Sequence, residues 1–415
     1  MMSDNYKKII SELASLTGLN FFVAGISYVF TIVIANTLGP NDFGTYSYIM
    51  LWGGFAMLLI VFSTEATIPA QYAKTNDKQG LFNLTQTIKI LFFFIWIASI
   101  PLWYILTELG LVISKNPGVI IGLITLTLAS FRVTEFYEIS RNNIRFAKIY
   151  LLERMFYLFL LGFFLYTNSL DIVTIFSCLF VATVCSLLLQ IKDNFNLIKR
   201  FEIENFQNVF GLFKENLPLV IIQFSTFVYG GFSRVILESK FGMEELGIYS
   251  AGWQIILVGT IFQSQVIKVW RSRISHAIIN DISQLKQLLK SYFFFSTLPV
   301  AIFAILINIF SYDIVNIVFN KEYLPVHKLL PIFSFYFIVI NLDSLTTILW
   351  ISINKRTEIL KISLTFTTIL MVVLYNLSEN SSLEFFASMV VFTHFSSVIF
   401  LLIRFYLKYL NKLYK

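Results

Sequence analysis

Leu38-Gly39-Pro40-Asn41-Asp42-Phe43-Gly44-Thr45-Tyr46-Ser47 returns 203 residues later as Phe241-Gly242-Met243-Glu244-Glu245-Leu246-Gly247-Ile248-Tyr249-Ser250. Both glycines, the Tyr-Ser pair and the acid between them (Asp42, Glu245) keep one offset. Each copy joins two long apolar segments. The repeat extends beyond this element: Lys89 to Phe94 matches Lys290 to Phe295 at an offset of 201, and Asn143-Ile144-Arg145 matches Asn354-Lys355-Arg356 at 211. Drifting offsets are what loops of changing length produce between two related halves. Glycine permits the tight turn between helices, and Asp42 or Glu245 can cap the helix that follows.

Composition sets the surroundings. Hydrophobic residues make up 57% of the 415, charged residues 13%, and the mean hydropathy is +0.75. Such a chain is a polytopic membrane protein and not a soluble domain. Twelve apolar segments approach the ~20 residues needed to cross a bilayer: 17–37, 46–67, 88–108, 118–138, 149–168, 171–191, 212–236, 247–268, 291–311, 329–351, 359–377 and 383–404. They are too long for barrel strands and lack alternation, so the expected class is all-α. Met1 to Thr17 is polar, with Lys7 and Lys8, and no cleavage site follows a short apolar core, so the first span is expected to be retained.

Basic residues orient the spans. With the N-terminus in the cytoplasm, 24 of the 31 Lys and Arg, Lys89 among them, fall on the cytoplasmic side. Lys115, Lys240, Lys321 and Lys328 fall outside, and Arg132, Arg154 and Arg234 within or at the ends of spans. This bias predicts two cytoplasmic termini and an even number of spans. Two six-helix lobes follow, 1–192 and 214–415, related by a parallel repeat and joined by a cytoplasmic linker, 193–213. A parallel repeat with its axis along the membrane normal is a transporter architecture, because two similar lobes can rock about a site. The net charge of +7 is dispersed over short loops with no nucleic-acid motif, so no nucleic-acid partner is expected. Cys178 and Cys185 lie inside one span and read as apolar fillers.

At the two turns, and at Asn320-Lys321-Glu322-Tyr323-Leu324-Pro325-Val326 before the tenth span, the chain resembles the polysaccharide-export branch of the multidrug/oligosaccharidyl-lipid/polysaccharide exporter superfamily. More narrowly it resembles the O-antigen flippases. Two positions depart from that pattern: Asn36 stands where the family often has Arg, and Ser233 precedes Arg234 where the family often has Asp. The resemblance implies an undecaprenyl-diphosphate-linked oligosaccharide, carried across the bacterial inner membrane by alternating access. It implies no cofactor, no metal, no catalytic residue and no ATP binding. The implied partners are that lipid-linked oligosaccharide, membrane lipids, and the polymerase and chain-length regulator of the same pathway.

A sugar needs a hydrated path with hydrogen-bonding side chains, and a diphosphate needs a fixed cation. The first span carries Asn20, Ser27 and Thr31, and the seventh carries Gln223, Thr226 and Arg234, at intervals that return to one helical face. At offset 203, Asn20 matches Gln223 and Thr31 matches Arg234. The eighth span adds Gln254, Gln265 and Lys268. These residues either line a cavity or hold helices together. Arg132 and Glu135, three apart in the fourth span, either neutralise each other or serve substrate or coupling. Glu65, Asp343 and His394 are candidates for charge or coupling. Pro101, Pro218 and Pro299 permit bending or fix static kinks. Two rival functions stay open: a cation-coupled small-molecule antiporter of the same fold, and a membrane polymerase or glycosyltransferase of the same pathway. The largest outside loop, 312–328, has no Asp-x-Asp pair, nucleophile elbow or metal cluster, and no Gly-rich phosphate loop exists, which argues against an enzyme.

Overall fold

The computed structural model describes residues 2–108, 117–280, 284–353, 355–377 and 381–410. Regular structure among them is helical throughout. Ten stretches are long and apolar enough to cross a bilayer. The first, Phe22–Thr75, holds two predicted spans, because helix Met2–Val61 is broken at Gly39 (φ 74°, ψ 172°). Helix Met243–Asn280 supplies the eighth span. Every predicted span therefore has its helix, and the chain is a multi-pass, all-α membrane protein. Outward-facing Phe94, Phe159, Phe163, Phe294 and Phe295 are each more than half exposed, a surface suited to lipid and not to water.

The chain forms two compact units that do not follow its order. One comprises Met1–Phe30 with Tyr48–Phe224, the other Thr31–Ser47 with Ser225–Lys415.

In the first unit, Phe62, Phe82, Ile88, Phe136 and Leu212 form a buried core. The stretch between helices Ile172–Asp193 and Phe206–Phe227 is tied to helix Lys78–Glu108 by side chains: Gln79 Nε2 donates to the carbonyls of Leu197 and Arg200 (both 3.1 Å), Asn83 Oδ1 accepts from Glu202 N (3.3 Å), and Thr87 Oγ1 accepts from Glu204 N (3.1 Å). The backbone groups of Arg200, Glu202 and Glu204 lie outside any helix and would otherwise need water.

In the second unit, helix Val326–Ser352 packs against Met243–Asn280 on one side and Leu383–Phe405 on the other. Trp350, Tyr292, Ile274 and Phe405 fill its core. Both copies of the repeated motif belong to this unit. The turn is made by Gly39 and Gly242 (φ 74° and 89°), a conformation that L side chains rarely adopt. The second glycine of each copy has a different task. A Cβ on Gly44 would stand 1.9 Å from the carbonyl oxygen of Met243, and a Cβ on Gly247 1.9 Å from that of Pro40. These contacts are reciprocal at the offset of 203, so the two copies meet backbone to backbone.

The third motif docks on the first. Asn36 Nδ2 donates to Val318 O (2.9 Å), Asn36 Oδ1 accepts from Asn320 N (2.9 Å), and Asn320 Nδ2 donates to Asn36 O (2.8 Å). Tyr323, fully buried, donates to Ala35 O (2.9 Å) and meets Phe43 edge-on. Asn36 thus serves as a clamp for this loop. Asp42, expected as a helix cap, instead accepts from Asn41 Nδ2 at 3.4 Å.

Candidate functional site

Polar groups gather at one place in each unit. In the second unit, helix Phe206–Phe227 passes through a π-helical turn, Val228–Phe232, into helix Ser233–Phe241. One wide turn re-aims the side chains around it, and such turns are frequent at functional sites. Tyr229, on the turn, stacks on the His394 ring at 4.5 Å. His394 Nδ1 shares a hydrogen bond with Tyr336 Oη (2.9 Å), and its Nε2 lies 3.8 Å from Asp343 Oδ2, within ion-pair range of a protonated ring. Arg234, on the next turn, lies over the faces of Trp253 (5.3 Å) and Tyr249 (6.0 Å). Aromatic faces attract a guanidinium and offset part of its desolvation. Among the described residues no carboxylate lies within ion-pairing distance of Arg234, and its Nε is enclosed without a hydrogen-bond partner. Three predicted residues, Arg234, Asp343 and His394, thus join one cluster with Tyr229, Trp253 and Tyr336. Gln254, half-buried, sits next to Trp253 on the same helix.

In the first unit two transmembrane helices are broken. Between Val61 and Thr64 the chain turns left-handed at Phe62 (φ 47°) and Ser63 (φ 58°). Such residues cost about 1–3 kcal/mol each and persist only where surroundings hold them. Asn216, fully buried on helix Phe206–Phe227, donates to Phe62 O (2.9 Å), and Ser63 Oγ donates to Gln223 Oε1 (2.9 Å). Phe62, Phe92 and Phe213 form a three-ring cluster, with Phe62 4.7 Å from Phe92 and 5.0 Å from Phe213. An open cavity of about 460 Å³ lies at this break, with Ser63, Glu65 and Gln223 on its wall.

The second break follows Phe131, at Arg132 (ψ 141°) and Val133 (φ −104°, ψ 45°). Its freed backbone groups are satisfied internally: Lys89 Nζ donates to Arg132 O (2.9 Å) and Gln190 Oε1 accepts from Val133 N (3.1 Å). Non-helical backbone at membrane depth needs such partners. The helices that restart after the two breaks, Thr64–Thr75 and Thr134–Ile139, pack together.

The breaks correct two expectations. Arg132 and Glu135 do not pair with each other, because the chain leaves the helix between them. Arg132 pairs with Glu153, and Glu135 pairs with Lys89 at 2.9 Å. Lys89, expected on the cytoplasmic side, is fully buried, since its helix begins at Lys78, three turns earlier. Lys89 and Glu153 were not singled out from the sequence as a network. A Lys within a polar-flanked apolar run and a Glu inside the fifth span were the available signals.

Ser27 and Thr31 are half-buried and fall in different units. The side chains of Asn20, Thr226, Gln265 and Lys268 lie outside the described residues. Pro218 lies inside helix Phe206–Phe227, and Pro299 follows a second π-helical turn, Phe293–Thr297. Cys178 and Cys185 are free thiols, the first buried and the second exposed.

The profile of the polysaccharide biosynthesis protein family matches residues 9–270. The chain belongs to that family. No curated protein matches it. Among solved structures it is similar to an inward-facing multidrug resistance MATE family transporter of the MOP superfamily, with a TM-score of 0.68 at 14% identity over 95% of this chain and 94% of that one. A MOP superfamily transporter from Pyrococcus furiosus, described as having a binding pocket of reversed polarity and a different function, gives 0.62 at 13% over 95% and 94%. A mutant MATE transporter from Vibrio cholerae gives 0.58 at 13% over 94% and 93%. At these identities the likeness is one of fold. This member of the polysaccharide biosynthesis family thus has the fold of the MOP superfamily transporters.

Proposed function

We propose that this chain is a flippase that moves polyprenyl-diphosphate-linked oligosaccharide repeat units from the cytoplasmic to the outer face of a bacterial inner membrane by alternating access. Undecaprenyl diphosphate is the proposed carrier and O-antigen or a related polysaccharide the product, with both termini in the cytoplasm. The family supplies the pathway. The observation that carries the reading is Arg234, a guanidinium at membrane depth whose near neighbours are aromatic faces and not carboxylates. An arginine held this way keeps its planar fork of donors for a phosphate. Asn20, Gln223, Gln254 and Gln265 are proposed to meet sugar hydroxyls, and Lys268 the phosphate. The polymerase and chain-length regulator of the same pathway are proposed to act on the product.

A second reading is a cation-coupled small-molecule antiporter. The 3.8 Å approach of Asp343 to His394 favours it, since that pair can exchange a proton within a membrane span. The two readings separate in a strain lacking the gene, with labelled lipid-linked oligosaccharide followed by membrane side. Single repeat units trapped on the cytoplasmic face, with surface polymer lost, support the flippase. Units that reach the outer face but stay unpolymerised point to a polymerase and overturn it. Normal polymer with raised drug sensitivity favours the antiporter.

A further inference from the structure

The break at Phe62–Ser63 puts two consecutive left-handed residues at the edge of a cavity. Strain of this kind clusters at ligand sites, where the surroundings hold it for a purpose. Two further observations point the same way. Asn216, which fixes Phe62 through its amide nitrogen, has its Oδ1 enclosed without a partner. An enclosed polar atom without a partner calls for a reason in a native fold, and the other end of this amide holds the turn. The acid on the wall, Glu65, also stands apart from the ion pairs beside it. Lys89 and Arg132, the cations nearest to it, are bonded to Glu135 and Glu153. The Glu65 side chain is exposed and lines the cavity.

We propose that this cavity is a subsite for the hydroxyl groups of one sugar ring, with Ser63, Glu65 and Gln223 as specificity-determining residues. It deepens the flippase reading and rests on it. The chemistry of the wall carries the assignment. Met57, Leu58 and Val61 give an apolar surface, and the three polar side chains form its edge. A pyranose has the matching form: one face of C–H groups and a rim of hydroxyls, each both donor and acceptor. The edge offers both roles. Ser63 donates to Gln223 Oε1, which leaves the Gln223 amide nitrogen as donor and the Ser63 oxygen as acceptor. The Glu65 carboxylate accepts from two adjacent hydroxyls. The left-handed turn makes this possible. In a continuous helix Ser63 and Glu65, two apart, would point to nearly opposite sides; here the chain unwinds, and both line the cavity with Gln223. About 460 Å³ suits one or two rings, within the ordinary range of small-ligand sites.

The test uses the purified full-length protein in lipid nanodiscs. The probes are the glycosylated polyprenyl diphosphate extracted from the gene-deleted strain and the bare polyprenyl diphosphate. Wild type is expected to bind the glycosylated lipid about tenfold more tightly than the bare one, the value of one hydrogen bond to a charged group. Glu65→Ala and Gln223→Ala are expected to lose that preference while binding the bare lipid as wild type does. Glu65→Gln keeps part of it, because an amide still bonds hydroxyls, though without the charge. Equal loss in Glu65→Gln and Glu65→Ala makes recognition ionic and overturns the hydroxyl assignment. An undiminished preference in both alanine variants, or none in wild type, overturns the subsite. Wild type binding neither lipid overturns the flippase reading instead. Each variant is compared at matched thermal stability, and Glu65→Asp, which keeps the carboxylate on an exposed side chain, is expected to retain part of the preference in case an alanine variant fails to fold; its complete loss there counts against the subsite.

Discussion

Replacing Gly44 by alanine sets two effects of opposite sign against each other. In a helix, Ala is favoured over Gly by about 1 kcal/mol. At Gly44, however, the new methyl would lie 1.9 Å from the Met243 carbonyl oxygen and 2.8 Å from its carbon, both backbone atoms that no rotamer can move aside. An ordinary contact needs at least 3.4 Å, so the two motif copies must part by about 1.5 Å. Overpacking of this kind costs about 1–3 kcal/mol, and the carbonyl contacts around Gly247 loosen with it. The net expectation is a loss of up to about 2 kcal/mol, or over 415 residues a fall of up to about 2 °C in the unfolding midpoint. Gly247→Ala should behave alike, because its methyl meets Pro40 in the mirrored contact. The double variant should lose less than the sum, since helices already parted by one methyl admit the second cheaply. Gly162→Ala is the control: nothing lies within 4 Å of its Cβ, so helix propensity alone acts and the midpoint holds or rises. The assay is thermal unfolding of the purified protein followed by intrinsic fluorescence. A Gly44→Ala midpoint equal to that of Gly162→Ala, or full additivity in the double variant, refutes the close-approach argument.

Three other perturbations have definite outcomes. Lys89→Met leaves the Glu135 carboxylate buried without its cation and should cost about 3–5 kcal/mol, whereas Lys89→Met with Glu135→Leu should recover most of that, read as the yield of monodisperse protein. Asn216→Ala removes the bond that holds Phe62 in its left-handed turn; a loss of about 1–3 kcal/mol is expected, with proteolytic cleavage appearing at 61–64. Arg234→Lys keeps the charge but not the planar fork over Trp253 and Tyr249, and surface polymer in a complemented deletion strain should fall at least tenfold.

The spans were legible because lipid demands long apolar runs, and each run became a helix. The repeated motif was legible as a landmark, but its chemistry was only half read. Gly39 and Gly242 turn the chain as expected, while Gly44 and Gly247 are glycines because another backbone passes over them, a long-range fact that no local pattern records. The charge pairs were misread for one physical reason. Spacing of three places Arg132 and Glu135 together only on an unbroken helix, and the helix breaks at that point. Neither Phe62 nor Ser63 is a residue that announces a left-handed turn, so the cavity beside them had no signature beyond Glu65 and Gln223. The Arg234 cluster was partly visible, since intramembrane ions stand out; its aromatic partners did not, in a chain with 45 phenylalanines and 20 tyrosines.

The reciprocal contact of Gly44 and Gly247 also sets a schedule for biogenesis. Residues 31–47 leave the ribosome 203 residues before the surface they pack against. At about 5–20 residues per second this interval is on the order of 10–40 s. During it the first hairpin stands in the membrane with a bare strip of backbone at Gly44 and the clamp of Asn36 open. A chain stopped after the first half would keep that strip exposed indefinitely, a mark by which quality control can tell an unfinished protein from a finished one.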